Sequence, residues 1–171
     1  GLLDVLTRMG ADIQLLNQRE EAGEPVADIR VRSARLRGVA VGPDLIPQTI
    51  DEFPILCVAA TVAEGQTIVS GAEELRVKES DRIATMSAEL RAMGAQITEN
   101  PDGMVVRGLG TTEDNGRLQG AHGRSHGDHR VAMSLAIAGL TAPTPPLIDE
   151  TDCIETSFPT FHHTLLELLT E

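Results

Sequence analysis

Leu6-Thr-Arg-Met-Gly-Ala-Asp-Ile13 returns later in the chain as Leu90-Arg-Ala-Met-Gly-Ala-Gln-Ile97. Each copy reads as the end of a helix stopped by glycine, followed by a short strand. The correspondence widens in both directions. Ile29-Arg-Val-Arg32 is answered by Met104-Val-Val-Arg107, and the strand pattern at 66–70 by Pro146-Leu-Ile-Asp149. Asp51, ahead of the apolar run Phe53–Ala63, is answered by Asp128 ahead of a second apolar run through Ala138. A repeat of this length implies similar supersecondary units that bury their helices against one another. The expected class is α/β and incomplete, with repeat units over 1–171 at about 1–74 and 75–150 and the start of a third element at 151–171.

Within that frame the elements follow in order. A helix at Gly1–Gly10 has no convincing cap and no initiator Met, so it reads as already under way, in a piece of a longer protein. Ala11–Leu16 is a strand candidate, followed by a polar stretch to Pro25. Asp28–Arg32 alternates as a strand should and is expected to pair with Leu36–Val41. Gly42-Pro43-Asp44 is a turn. Asp51 suits the N-cap of the next helix, in whose first turn Pro54 is tolerated. Ser157–Phe161 leads into a third helix ending in Leu165–Leu169.

Composition narrows the function. Hydrophobic residues at 41% and charged residues at 23% describe a folded globular protein. A net charge of −12 argues against nucleic acid and anionic membranes as partners. Three Phe with no Tyr or Trp leave no stacking platform for single strands. Any anionic ligand must therefore be held by a local cluster of cations. No apolar segment approaches the roughly 20 residues of a membrane span. Cys57 and Cys153 form no disulfide framework and no metal-type spacing, so a reducing cytoplasm is expected.

Such a cation cluster stands in Glu74-Leu-Arg-Val-Lys-Glu-Ser-Asp-Arg82, which runs into a helix from Ile83 to Met93 with Ser80 or Asp81 as its cap. A helix N-terminus favours anions, so Lys78 and Arg82 are misplaced there unless they help to bind one. Arg130, just after Asp128, repeats the oddity. Two arginine forks converging on one anion would grip a carboxylate or phosphate. The simpler account is a surface pair, Glu79 with Arg82 at i, i+3, and each arginine satisfied by a neighbouring Asp. Asp51 and Glu79 are the candidate proton-handling carboxylates, against a plain capping role for Asp51. His122, His126 and His129 lie in a glycine-rich segment without a Cys or carboxylate set in helical register, so no metal is expected. Gly103, Gly108, Gly110, Gly116 and Gly120 read as loop punctuation, not a phosphate loop.

Ile50-Asp-Glu-Phe-Pro54, Leu75-Arg-Val-Lys-Glu-Ser-Asp-Arg82, Asp128-His-Arg-Val-Ala-Met-Ser134 and Thr156-Ser-Phe-Pro159, in this order, resemble the 5-enolpyruvylshikimate-3-phosphate synthase family. The resemblance covers nearly the whole chain and the C-terminal part of the family only. It implies one incomplete lobe of an enolpyruvyl-transferase fold, whose two lobes are each built of βαβαββ units. The missing N-terminal lobe would carry the Lys-Ser signature, the Ser-Ser-Gln phosphate site and a further arginine for phosphoenolpyruvate. The implied reaction, in the shikimate pathway of aromatic amino-acid biosynthesis, moves the enolpyruvyl group of phosphoenolpyruvate onto the 5-hydroxyl of shikimate 3-phosphate without a cofactor. By resemblance Asp51 is the base at that hydroxyl and Glu79 handles the proton at the enolpyruvyl methylene. Lys78 would contact shikimate 3-phosphate or developing charge, and Arg82 and Arg130 would hold phosphoenolpyruvate. Thr156 departs from the pattern, since many members carry Lys there, so it inherits no contact.

Half a site should not turn over, because groups from both lobes must meet around the transition state. A stand-alone, non-catalytic domain that binds a ligand or partner is the alternative of a different class. A related enolpyruvyl transferase acting on a UDP-sugar shares the fold but fits the motif wording less well. Unpaired strand edges would also invite self-association.

Overall fold

In the computed structural model, which describes residues 1–110 and 118–170, the two Met-Gly-Ala copies end their helices in the same way. Helix α1 (Leu2–Arg8) and the later helix at Arg82–Ala92 are each followed by a glycine in the left-handed region, Gly10 at φ 91° and Gly94 at φ 92°. Behind each glycine the next amide reaches back to close the helix, Ala11 N–H to the Leu6 carbonyl at 3.0 Å and Ala95 N–H to the Leu90 carbonyl at 2.9 Å. A Cβ would strain both positions, so glycine there fixes where each chain segment turns.

A hairpin follows in both cases. Strands β1 (Asp12–Glu21) and β2 (Glu24–Arg32) pair antiparallel with Ile13 opposite Val31. The expected polar loop up to Pro25 is therefore mostly strand. Toward its tip the ribbon is exposed and needs no apolar alternation, so hydrophobic periodicity is silent there, although it shows at Asp28–Arg32.

Strand β3 (Ala40–Val41) does not pair with β2 as expected. The chain runs on through α2 (Ile46–Thr49), a 3₁₀ turn at Ile50–Glu52 and α3 (Phe53–Val62) to β4 (Gln66–Val69). β3 then lies parallel to β4, with Ala40 opposite Ile68. The helical segment supplies the long crossover that parallel strands require.

After a 3₁₀ turn at Glu73–Val77 come α4 (Arg82–Ala92), β5 (Gln96–Asn100) and β6 (Gly103–Arg107). This second hairpin docks its β6 edge on β4, giving the four-stranded order β3-β4-β6-β5. β7 (His122–Arg124), α5 (His129–Gly139) and β8 (Leu147–Asp149) then form a second parallel pair joined by a helix. A 3₁₀ turn at Thr151–Thr156 and α6 (Phe161–Thr170) follow. The protein is α/β, and Gly116 lies outside the described residues.

Helices α3, α4 and α5 pack on one another, with α3 and α4 also against the sheet. Phe53, Leu56, Ile83, Met86, Leu90 and Leu135 are buried at that junction. The two hairpins differ in what covers them. Met104 and Val106 on β6 are 0% exposed, whereas their counterparts on β2, Ile29 and Val31, are 54% and 64% exposed. Among the described residues no helix is long and apolar enough to cross a membrane.

Candidate active site

The packing of α3, α4 and α5 brings their N-terminal ends together, and Arg82 lies where they meet. Arg82 is the first residue of α4, whose cap is Asp81, accepting from the Ala84 amide. Its guanidinium is 1% exposed and spends its donors on carboxylates from three places. Nε donates to Asp128 Oδ2 at 2.8 Å, one Nη to Asp51 Oδ1 at 3.2 Å, and the other to Glu79 Oε2 at 2.5 Å. The expected i, i+3 pair with Glu79 is present, but it is one arm of a network spanning three helix entries. Burial would lower the Arg82 pKa, yet the hydrogen bond and charge of Asp128, with Glu79 and Asp51, outweigh it and raise it.

Asp51 and Asp128, equivalent in the repeat, do different jobs. Asp128 is the N-cap of α5, accepting from the amides of Arg130 and Val131, and also accepts from Ser80 Oγ at 3.1 Å. Burial alone would push its carboxyl up. Arg82, Ser80 and the Arg130 amide outweigh that and hold it below the ordinary carboxylate value. Asp51, by contrast, is not a cap. It sits in the 3₁₀ turn, the N-cap of α3 is Glu52, and no side chain caps that helix. Instead Asp51 faces Arg82 on one side and Arg130 on the other, with Arg130 Nη2 4.0 Å from Asp51 Oδ2. The structural reason is that α3 continues from the 3₁₀ turn: the Phe53 N–H already bonds the Ile50 carbonyl and Pro54 has no amide to offer.

Arg130 is half-buried. Its Nη1 donates to the Asp51 backbone carbonyl at 2.9 Å and lies 3.5 Å from Glu52 Oε1. A cavity of about 250 Å³ opens beside it, lined by Pro54, Ile55, Met133, Ile137 and the edge-on pair Phe158 and Phe161. Lys78 is turned to Glu74, with Nζ to Oε1 at 2.7 Å, and that hydrogen bond raises its pKa above the ordinary lysine value. Asp51, Glu79, Arg82 and Arg130 thus meet in one place, while Lys78 stands at its margin on a partner of its own.

Two roles were missed from sequence. Ser80 bonds the buried carboxylate of Asp128, and Glu89 receives the Arg124 amide at 3.0 Å and His126 Nε2 at 3.2 Å. Nothing local signals Glu89, which lies on α4. Asp128 had a visible signal, an acidic cap beside a misplaced arginine, that pointed to capping and not to Arg82. Among the described residues no group of three or more His, Cys, Asp or Glu is placed to hold a metal ion.

Repeated α/β units whose helix entries converge on arginines and carboxylates define the class, a lobe of the enolpyruvyl-transferase fold. That fold is shared at the level of shape with the enolpyruvyl transferase NikO of Streptomyces tendae, TM-score 0.69 at 19% identity, covering 98% of this chain and 34% of that one. The profile of the EPSP synthase (3-phosphoshikimate 1-carboxyvinyltransferase) family matches residues 1–165, and the chain belongs to that family. The 3-phosphoshikimate 1-carboxyvinyltransferase of Geobacter sulfurreducens is 55% identical over 94% of this chain. That of Desulforudis audaxviator is 51% identical over 100% of it. The EPSP synthase structure from Acinetobacter baumannii superposes with TM-score 0.92 at 43% identity, over 97% of this chain and 38% of that one. The chain spans 36% and 38% of the length of the two relatives.

Proposed function

We propose that this chain is the C-terminal part of an enzyme that transfers the enolpyruvyl group of phosphoenolpyruvate to the 5-hydroxyl of shikimate 3-phosphate. The observation that carries the proposal is the meeting of Arg82, Arg130, Asp51 and Glu79 at three helix N-termini. Arginine forks suit the carboxylate and phosphate of phosphoenolpyruvate. Asp51 takes the proton of the attacking 5-hydroxyl. Glu79 delivers a proton to the methylene carbon as the C–O bond forms, giving a tetrahedral intermediate. It takes a proton back as phosphate leaves. Lys78 swings from Glu74 to neutralise shikimate 3-phosphate or developing charge. No step calls on a cofactor.

Proton transfer and charge stabilisation require groups held on both sides of the reacting atoms. The chain alone is therefore inactive, and an N-terminal lobe completes the site. The two free cysteines, one of them buried, suit a reducing cytoplasm. The bare face of the β1–β2 hairpin suits self-association when nothing else covers it.

The test is phosphate release from phosphoenolpyruvate plus shikimate 3-phosphate, with the chain alone and with a separately expressed N-terminal lobe. Release is expected only on mixing, and Asp51→Ala or Glu79→Ala should abolish it. Folded components that stay inactive together, or undiminished release with Asp51→Ala, would sink the proposal.

A further inference from the structure

The three carboxylates on Arg82 are not equivalent. Asp128 is 0% exposed, whereas Asp51 and Glu79 are 49% and 51% exposed. The lone pairs of Asp128 are also committed elsewhere, to two amides of α5 and to Ser80 Oγ. Moving it would strand buried donors, which is costly. Asp51 and Glu79 carry no comparable commitments and can turn into water. Each covers one Nη group, so an anion that approaches Arg82 from their side takes a place one of them holds.

We propose that Arg82 has one fixed and two exchangeable partners, and that an anionic substrate seats by displacing Asp51 and Glu79 while Asp128 keeps hold of Nε. The inference rests on the function proposed above and adds a mechanism of control to it. A carboxylate whose oxygen accepts from a guanidinium has that lone pair engaged and cannot take a proton with it. Displacement returns the lone pair. Seating the anion and readying the two carboxylates are then a single event, and Asp128 is a positioning residue that keeps the fork aimed throughout.

The experiment is a titration of the chain with phosphoenolpyruvate, and separately with inorganic phosphate, followed through the side-chain carboxyl ¹³C resonances and by calorimetry. The resonances of Asp51 and Glu79 should move together with one dissociation constant while that of Asp128 stays in place. Asp51→Asn and Glu79→Gln should each tighten binding by about two- to fivefold, the equivalent of losing one exposed ion-pair competitor. Glu52→Gln, which removes the same charge from beside Arg130 without touching Arg82, should change it less. Saturable binding with Asp51 and Glu79 unmoved would overturn the exchange. So would weaker binding in Asp51→Asn and Glu79→Gln, or no saturable shift with either anion. Exchange without turnover on mixing the lobes would instead remove the transferase proposal and leave the exchange standing. Turnover with unmoved resonances would do the reverse.

Discussion

Replacing Asp128 by alanine should cost this chain far more stability than replacing Asp51, although the two are equivalent in the repeat. The Asp128 carboxylate is fully buried and is the Nε partner of Arg82, itself 1% exposed. Removing one partner of a buried pair costs roughly 3–5 kcal/mol, and the lower half of that range applies here because Asp51 and Glu79 still face the Arg82 charge. Loss of an N-cap costs about 1 kcal/mol more. One carboxylate does both jobs and the two losses overlap, so about 4 kcal/mol is expected for Asp128→Ala. That is a large share of the roughly 5–15 kcal/mol of a typical domain. Asp51→Ala removes a half-exposed partner and no cap, for about 0–1 kcal/mol. Urea unfolding followed by circular dichroism measures both. If Asp128→Ala leaves too little folded protein, Asp128→Asn keeps a neutral acceptor for Nε, and about 2 kcal/mol is expected for it, toward the low end for hydrogen bonds to charged groups. Equal costs at the two positions, or a loss below about 1 kcal/mol for Asp128→Ala, would refute the assignment of Asp128 as the fixed partner.

Three further outcomes follow from the same geometry. The folded-state pKa of Asp128 is depressed, so its contribution is present above the ordinary carboxylate value of about 4 and is lost as pH falls through the folded value. The stability gap between the parent chain and Asp128→Asn should therefore close in acid, and a gap constant from neutral to low pH would count against it. Burial pushes the Cys57 thiol far up, with Met104 Sδ 3.6 Å from its Sγ, so a thiol reagent should label Cys153 alone in the folded chain and both cysteines in denaturant. Concentration-dependent association of the isolated chain, seen by sedimentation, should weaken in Val31→Lys, whose side chain is 64% exposed on β2. A lysine there that leaves association unchanged would mean that other surfaces drive it.

What the sequence disclosed depended on how local the cause was. The Met-Gly-Ala stops are local, since a glycine occupies the left-handed position after each helix, and both were legible from the local sequence alone. The pairing of Leu36–Val41 was misjudged because neighbouring strands in sequence favour a hairpin, and only the crossover through α3 reveals the parallel partner. The length of β1 was hidden because its exposed outer part carries no hydrophobic alternation. At the site, the misplaced arginines were readable as a violation of helix-end electrostatics. Their depth was not, because burial of Arg82 depends on how three helices pack, which no window of residues contains.

The repeat explains the fold, and departures from it explain the site. Had Asp51 followed its counterpart Asp128, it would have capped α3 and buried its carboxylate against that helix's amides. Instead α3 continues from the 3₁₀ turn, whose Ile50 carbonyl takes the Phe53 N–H, and Pro54 has no amide to cap. Asp51 is left as a half-exposed carboxylate between two arginines. The same contrast separates a carboxylate that is locked from one that can move. Asp128 is locked by a cap, a serine and a guanidinium, while Asp51 is held by arginines that an anion can occupy in its place. In a chain with a net charge of −12, charge alone would repel the ligand. A buried guanidinium that surrenders its own carboxylates to an arriving anion needs no positive surface to attract one.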